Sequence, residues 1–149
     1  MRSVFVILLA SLLILSGSAA RADDLTDANR FVCAAAQATL CVEDGECIVD
    51  LPWNLNIPEF IEVNLDDKTL ATTAASGENR ATPIEHLRRS DGMIVFHGFE
   101  MGRAFSWVID EWSGRVSIAI AADGAAVSVF GTCLPGTTGG VTRTKGGTE

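Results

Sequence analysis

The sequence has little positive charge. It carries 11 lysine and arginine residues against 19 aspartate and glutamate residues, which gives a formal net charge of −8. Proteins that bind nucleic acid or anionic membrane surfaces do so through clusters of basic side chains. The composition therefore argues against both of those partners, and it is compatible with a basic protein partner.

The motifs of common enzyme and metal-site classes are also absent. The chain has no G-x-S-x-G, no C-x-x-C and no phosphate-binding glycine loop, and "EDGE" at 43–46 is too short for a calcium loop. Only two histidines occur, His86 and His97, and a turn at Asp91-Gly92 places them opposite each other across a hairpin. Glu85 and Glu100 are near them, but nothing obvious supplies the other half of a metal site. We expect no catalysis, no cofactor and no metal site.

Residues 1–22 have the pattern of a signal peptide. Arg2 precedes an apolar run from 4 to 15, and small residues stand at Ala20 and Ala22. We expect cleavage after Ala22, and cleavage after Ala20 is the alternative. The run is shorter than the ~20 residues that span a bilayer, so the processed chain is predicted to have no membrane span and to be periplasmic or secreted. Removal of Arg2 and Arg21 leaves nine basic side chains against 19 acidic ones, a net charge of −10.

The chain contains four cysteines, an even number that in an exported protein indicates two disulfides. Three pairings are possible. The stretch "CVEDGEC" has the pattern of a hairpin turn that sets Cys41 opposite Cys47, and this leaves Cys33 to bond Cys133. The second bridge would tie the first strand to the last and contribute roughly 4–5 kcal/mol. A zinc site is the alternative, and the lack of C-x-x-C spacing disfavours it.

Turn signals recur at intervals of about ten residues beyond residue 59, which is typical of short strands joined by tight turns. We predict an all-β domain over 23–135, an antiparallel up-and-down meander of about eight or nine strands that closes into a small disulfide-stapled barrel. A two-sheet sandwich is the alternative. Residues 26–40 are predicted as strand, although their five alanines would also support a helix. The Gly- and Thr-rich tail, 136–149, is predicted to be disordered.

The last three strands can be registered against one another. The predicted register follows from a two-residue turn at Asp123-Gly124 and a four-residue loop at 111–114. In this register one set of apolar residues lies on the same face of the sheet. The set is Phe105, Trp107, Ile109, Val116, Ile118, Ile120, Val127 and Val129, and Cys133 follows on the same face. The opposite face carries Ser106, Ser117, Ala119 and Ser128. In the crossover "LPWNLNIP", Trp53 is expected to plug one end of the barrel.

The polar stretch "ATTAASGENRATPI" lies between two predicted strands and forms the candidate binding site. Its loop contains Ser76, Gly77, Glu78, Asn79 and Arg80. One interpretation is a polar turn in which Glu78 pairs with Arg80, or in which Arg80 points inward to Glu62 or Asp110. The other is a rim loop that presents a polar finger to a partner, because loops on rigid scaffolds often carry function.

Two resemblances follow from these motifs. "SGENRATPI", "GRAFSWVID" and "VFGTC" resemble a group of small exported proteobacterial proteins, which implies no particular chemistry. "AASGENR", then "DGMIVFHG" and a late cysteine, is similar to the order of motifs in the membrane-bound inhibitor of c-type lysozyme. Members of that family are small periplasmic β-barrels. They block the lysozyme cleft with a serine in a Ser-Gly loop and a lysine in a later loop. Ser76 matches the serine, whereas the later turn "FEMGRA" has Arg103 and no lysine.

The sequence thus predicts a non-catalytic exported binding protein that presents the loop Ser76–Arg80, with Arg103 nearby, to a partner. A periplasmic lysozyme inhibitor is one alternative. A carrier of a small apolar ligand, of lipocalin-like type, is the other. Small barrels usually fill their interior with side chains, and Phe105 and Trp107 are large enough to do so, which limits the carrier interpretation.

Overall fold

The computed structural model describes residues 24–76 and 78–136, and the predicted signal peptide and the tail beyond Gly136 lie outside this part of the chain. The described residues form ten strands and two short 3-10 helices, without an α-helix. The 3-10 helices are Pro52–Leu55 and Ala74–Ser76. The strands are β1 Arg30–Val42, β2 Cys47–Asp50, β3 Phe60–Asn64, β4 Thr69–Thr72, β5 Ala81–Pro83, β6 His86–Ser90, β7 Met93–Glu100, β8 Arg103–Asp110, β9 Arg115–Ala122 and β10 Ala125–Pro135.

One curled antiparallel sheet contains all of these strands and forms a half-barrel, which confirms the all-β prediction. The order is β5-β4-β3-β1-β10-β9-β8-β7-β6, and β2 pairs with the second half of β1. The chain is a meander from β3 to β5 and again from β6 to β10. The first strand lies between these two blocks and pairs with both β3 and β10. This strand, Arg30–Val42, confirms the predicted strand over 30–40, whereas residues 26–29 precede it and are not strand.

Tight turns fix the register of the second block. Asp91-Gly92 and Met101-Gly102 both have positive φ at each central residue, as two-residue turns of this kind require. The predicted pairs Ala122–Ala125, Ile109–Val116 and Trp107–Ile118 are all present.

The core lies on the concave side of the sheet. Phe105, Trp107, Ile109, Val116, Ile118, Val129 and Cys133 are buried there, and Ile120 and Val127 pack against them half-buried. Phe96 lies opposite Trp107 on the neighbouring strand, with ring centroids 5.3 Å apart. The predicted inward face is therefore confirmed, and the small side chains at 117, 119 and 128 are exposed on the convex side.

Both predicted disulfides are present. Cys33 on β1 bonds Cys133 on β10, and Cys41 bonds Cys47 across the β1–β2 hairpin. The first bridge joins the earliest and latest strands at a buried pair of facing positions. It therefore holds the two blocks of the sheet on either side of β1.

The prediction that Trp53 plugs one end is wrong, because its side chain is 51% exposed. Pro52 begins the 3-10 helix, and Asn56 ends it in the left-handed conformation with φ of 57°. This reversal turns Pro52 and Ile57 toward the core, where both are buried, and leaves Trp53 outside.

One end of the half-barrel is closed by the segment Leu25–Asn29. Leu25 is fully buried, and its amide donates to the carbonyl of Glu111 at 2.7 Å. Arg89 holds this segment through one guanidinium: it donates to the Glu111 carboxylate, to Asn29 Oδ1 at 3.0 Å, and to the carbonyls of Leu25 and Ala28 at 2.9 Å each. We call this the closed end.

Candidate functional site

The candidate site lies at the opposite end, which we call the open end. Five connections meet there: the β1–β2 turn at 43–46, the crossover at 51–59, the loop at 73–80, and the turns at 101–102 and 123–124. The amide of Glu43 donates to the carbonyl of Gly124 at 3.0 Å, which joins two of these turns directly. The loop that the sequence singled out is therefore one part of a larger rim.

A small apolar cavity opens in the middle of this rim, and we call it the pit. Its floor is formed by Ile61, Leu70, Phe105, Trp107, Ile118 and Ile120, and its free volume is about 80 Å³. Arg80, Glu100 and Arg103 stand among its lining residues, together with the crossover residues 56–58. The pit is therefore an apolar depression with charged groups at its mouth.

An ion pair spans the mouth of the pit. The Arg80 guanidinium lies 3.1 Å from the Glu100 carboxylate, and its other terminal nitrogen lies 3.6 Å from Glu78. The side chains of Arg80 and Glu100 are 24% and 26% exposed, so water still reaches both. The predicted Glu78–Arg80 pair is thus present.

The predicted alternative partners of Arg80, Glu62 and Asp110, are wrong. The side chain of Glu62 is exposed between the inward-facing Ile61 and Val63 of β3. Asp110 lies at the closed end, where its carboxylate accepts bonds from the amide and hydroxyl of Ser113 at 2.9 and 2.7 Å. Arg80 instead reaches Glu100, because β5 and the end of β7 approach each other along the open side of the sheet.

Internal hydrogen bonds hold the loop itself. The Thr72 hydroxyl donates to the Glu78 carbonyl at 2.9 Å and accepts from the Arg80 amide at 3.1 Å. The Ser76 hydroxyl donates to the Thr73 carbonyl at 2.7 Å and accepts from the Glu78 amide at 3.2 Å. The proton of the Ser76 hydroxyl is therefore used inside the loop. Asn79 is exposed, and Gly77 lies outside the described residues.

A second concavity flanks the pit, and we call it the groove. It runs between the crossover and the loop, is lined by Trp53, Glu59, Phe60, Ser76 and Glu78, and has a free volume of about 320 Å³. Residues 56–58 line both the groove and the pit and form the ridge between them. The structure thus divides the predicted site: Arg80 and Arg103 border the pit, whereas Ser76 and Glu78 border the groove.

Negative charge is concentrated at the open end. Its carboxylates belong to Glu43, Asp44, Glu46, Asp50, Glu59, Glu78, Glu100 and Asp123, and its only described cations are Arg80 and Arg103. At the closed end seven carboxylates face five cations: Asp24, Asp27, Asp66, Asp67, Asp91, Asp110 and Glu111 against Arg30, Lys68, Arg88, Arg89 and Arg115. Hydrogen bonds from the Asn54 side chain and the Leu51 amide lower the pKa of Asp50. This favours the charged form of that carboxyl.

The two histidines face each other as the sequence predicted. The rings of His86 and His97 stack with centroids 4.7 Å apart on paired strands. Within 24–76 and 78–136, no group of three or more His, Cys, Asp or Glu side chains is placed to hold a metal ion. The same part of the chain contains no helix long and apolar enough to cross a membrane.

The sequence did not assign three parts of this site to it: Glu100, the apolar floor, and the exposed aromatic residues Trp53 and Phe60 in the groove. The sequence indicates Glu100 only as an acid near the histidines, since its partner is 20 positions away, and it predicts the floor residues of β8 and β9 only as core. No protein-family model matches this chain, and no curated protein matches it.

Proposed function

We propose that this chain is a non-catalytic exported binding protein whose open end receives a basic protein partner. The observation that carries the proposal is an apolar pit with Glu100, Arg80 and Arg103 among its lining residues, at an end of the sheet whose connections carry eight carboxylates and only two described cations. Complementary charge steers a partner into place and selects against wrong ones, and a desolvated apolar contact at the centre supplies affinity. Both elements occur together at this end of the molecule.

The size of the pit favours a protein partner over a small-molecule cargo. Its volume of about 80 Å³ is far below the ~300–1,000 Å³ of typical ligand pockets. Such a depression suits one apolar side chain that projects from a partner surface. The groove, at about 320 Å³, reaches the lower end of that range, but Glu59, Ser76 and Glu78 line it, which does not suit a wholly apolar cargo. A lipocalin-like carrier that encloses an apolar ligand is accordingly the weaker of the two binding hypotheses.

The loop Ser76–Arg80 has a positioning role in this proposal. In the free protein, the Arg80 guanidinium forms ion pairs with the carboxylates of Glu100 and Glu78. A basic side chain of the partner can compete for the same carboxylates, because the pair is partly exposed and pairs of this kind are worth only ~0–1 kcal/mol. The exposed Trp53 and Phe60 in the adjacent groove offer ring faces to the same cations.

Inhibition of a c-type lysozyme is the more specific form of the proposal. The loop with Ser76 and the turn with Arg103 share the open end, as that resemblance implies, and the acidic rim suits a basic enzyme. The Ser76 hydroxyl would have to release the Thr73 carbonyl before it could donate to a lysozyme carboxylate. Export to the periplasm or beyond is part of the proposal, and the two disulfides are compatible with it.

The test is a binding titration of the purified chain with c-type lysozyme, followed by calorimetry at several salt concentrations. We compare the parent with a Glu78→Gln, Glu100→Gln double variant and with a matched closed-end control, Asp66→Asn, Asp67→Asn. The proposal predicts about tenfold weaker binding for the open-end variant, no change for the control, and weakening with salt. No binding at ~100 µM would reject lysozyme as the partner. Equal effects of both double variants would reject the open end as the site.

A further inference from the structure

The short strand β2, which follows the rim turn at 43–46, has a free edge. In the described part of the chain it pairs with β1 alone. The amide of Val42 donates to the carbonyl of Glu46 at 3.0 Å, and hydrogen-bonded pairs alternate along the two strands from there. The amides and carbonyls of Cys47 and Val49 therefore point away from β1, where another strand can reach them.

The two end strands of the sheet are protected against such an addition, whereas β2 is not. β5 has three residues and ends at Pro83, which lacks an amide hydrogen, and β6 carries the charged Arg88 and Arg89. β2 contains neither a proline nor a basic residue, and its Ile48 and Val49 side chains are 53% and 66% exposed. An unpaired edge with exposed aliphatic side chains is a template for one more strand.

The surroundings of this edge are acidic throughout. Between Arg30 and Lys68 the sequence contains eight aspartate or glutamate residues and no lysine, arginine or histidine. Because side chains alternate along a strand, Glu46, Ile48 and Asp50 share one face of β2. The edge therefore offers an added strand a row of one aliphatic side chain between two carboxylates.

We propose that the free edge of β2 binds an extended segment of a basic partner as an additional antiparallel strand. The segment has the pattern basic–x–apolar–x–basic, which sets its two cations against Asp50 and Glu46 and its central side chain against Ile48. Its second and fourth residues exchange main-chain hydrogen bonds with Val49 and Cys47. This inference rests on the proposed function, since it gives the form in which the basic partner is bound.

The same charges disfavour a second copy of this chain as the occupant. If two β2 edges paired antiparallel with Ile48 opposite Ile48, Glu46 of each copy would face Asp50 of the other. Like charges directly opposite each other destabilise a strand pair. A segment with lysine or arginine at those two positions replaces both repulsions with attractions.

The test is an NMR titration of the isotope-labelled chain with the peptide acetyl-KVITK-amide up to ~5 mM. We expect a dissociation constant of about 1 mM and downfield shifts of the Cys47 and Val49 amide protons. The charge-reversed peptide acetyl-EVITE-amide should cause no such shifts. Methylation of the second and fourth peptide nitrogens, which face β2, should abolish binding, whereas methylation of the third, which points away, should leave it unchanged.

A substitution in β2 tests the same contact from the other side. Val49→Pro removes the outward amide without removing a hydrogen bond to β1, so the peptide should no longer shift the Cys47 amide. Val49→Thr keeps both the amide and the preference for strand, and this matched control should bind like the parent. Circular dichroism checks that both variants are folded.

Three results would overturn the proposal. Unchanged Cys47 and Val49 amides at ~5 mM peptide would show that the edge takes no basic strand. Equal binding of the two methylated peptides would show that main-chain pairing is not used. Shifts of the same amides with protein concentration alone would assign the edge to a second copy.

The proposed function can fail separately from this inference. Peptide binding at β2 without lysozyme binding would reject that partner and support the edge. Lysozyme binding that the Glu78→Gln, Glu100→Gln variant weakens and Val49→Pro leaves unchanged would support the open end and reject the edge as part of its site.

Discussion

The guanidinium of Arg80 lies 3.1 Å from the carboxylate of Glu100, across the open side of the curled sheet. Arg80 directly precedes β5, one edge of the sheet, and Glu100 is the last residue of β7, next to the other edge. The two residues are 20 positions apart in the sequence. The pair thus connects the rim loop to the β7–β8 turn, and it stands where the proposed partner would enter.

We expect this pair to matter little for stability. Because both side chains are about one quarter exposed, Arg80→Met should lower the free energy of unfolding by about 1 kcal/mol or less. A double-mutant cycle with Glu100→Gln, measured by urea unfolding, should give a coupling energy of about 0.5 kcal/mol. A coupling above ~2 kcal/mol would mean that the pair holds the half-barrel together and is not available to a partner.

Gly98 permits the close approach of β5 to β7. A β-carbon at this position would stand 2.8 Å from the Pro83 carbonyl oxygen and 2.6 Å from the Phe105 ring. Gly98→Ala is therefore expected to cost about 1–3 kcal/mol, measured by denaturant unfolding. In a Phe105→Leu background the ring contact is relieved but the carbonyl contact remains, so the penalty for Gly98→Ala should shrink without vanishing. A penalty near zero in both backgrounds would contradict this packing.

The two disulfides should differ in their effect on stability. The Cys33–Cys133 bridge closes a loop with a sequence separation of 100, whereas Cys41–Cys47 has a separation of 6. On the chain-entropy model, the Cys33→Ala, Cys133→Ala double variant loses about 5 kcal/mol and the Cys41→Ala, Cys47→Ala double variant about 2 kcal/mol. Thermal and urea unfolding of the two variants checks which bridge contributes more to the free energy of unfolding. A larger loss for the hairpin bridge would contradict the model.

Arg89 is expected to be the most sensitive charged residue of the closed end. Its guanidinium holds the Glu111 carboxylate and two carbonyls of the N-terminal segment. Arg89→Met leaves a mostly buried carboxylate without its partner, so a loss of about 3 kcal/mol is expected. Arg88→Met, on the exposed side of the same strand, is the matched control and should change the unfolding free energy by less than ~0.5 kcal/mol. Similar losses of unfolding free energy in Arg89→Met and Arg88→Met would contradict the proposed role of Arg89 in holding the N-terminal segment.

Asp110 should titrate below the ordinary aspartate value of about 3.9. The Ser113 hydroxyl, followed by the Ser113 amide, donates to the ionised carboxyl and lowers its pKa. The stabilisation is fully present above the unfolded pKa and is lost as the pH falls through the lower folded pKa. Ser113→Ala removes the larger contribution, so NMR titration should show the pKa of Asp110 rising toward 3.9. An unchanged pKa in this variant would show that the hydroxyl bond is not formed in solution.

Apart from the Cys33–Cys133 bridge, which followed by elimination from the Cys41–Cys47 pairing, the elements that the sequence predicted correctly are those fixed by local chemistry. Asp123-Gly124 and the loop at 111–114 set the register of β8 to β10, because alternation and turn length agree there. The Cys41–Cys47 pairing followed from one hairpin. In each case the contacting residues are close in sequence, so the pattern contains the whole interaction.

The elements that escaped prediction depend on distant contacts. The Cys33–Cys133 bridge predicted that the first strand lies beside the last, but nothing local indicates that β1 also pairs with β3, or that it has a bulge near Ala36 opposite Phe130. The side chain of Trp53 is outside because Asn56 reverses the chain, and the partner of Arg80 is set by the approach of β5 to β7. These features are consequences of the curled sheet, which the turn and strand patterns do not specify.

The most direct test of the proposed function is a map of amide chemical-shift changes on the isotope-labelled chain during titration with c-type lysozyme. We predict chemical-shift changes at the crossover 51–59, the loop 73–80 and the turn around Arg103, with none at Leu25, Arg89 or Glu111. Added salt should screen the attraction between the two proteins and reverse these chemical-shift changes. Changes centred on the closed end would contradict binding at the open end, and an unchanged spectrum at ~100 µM lysozyme would contradict this partner.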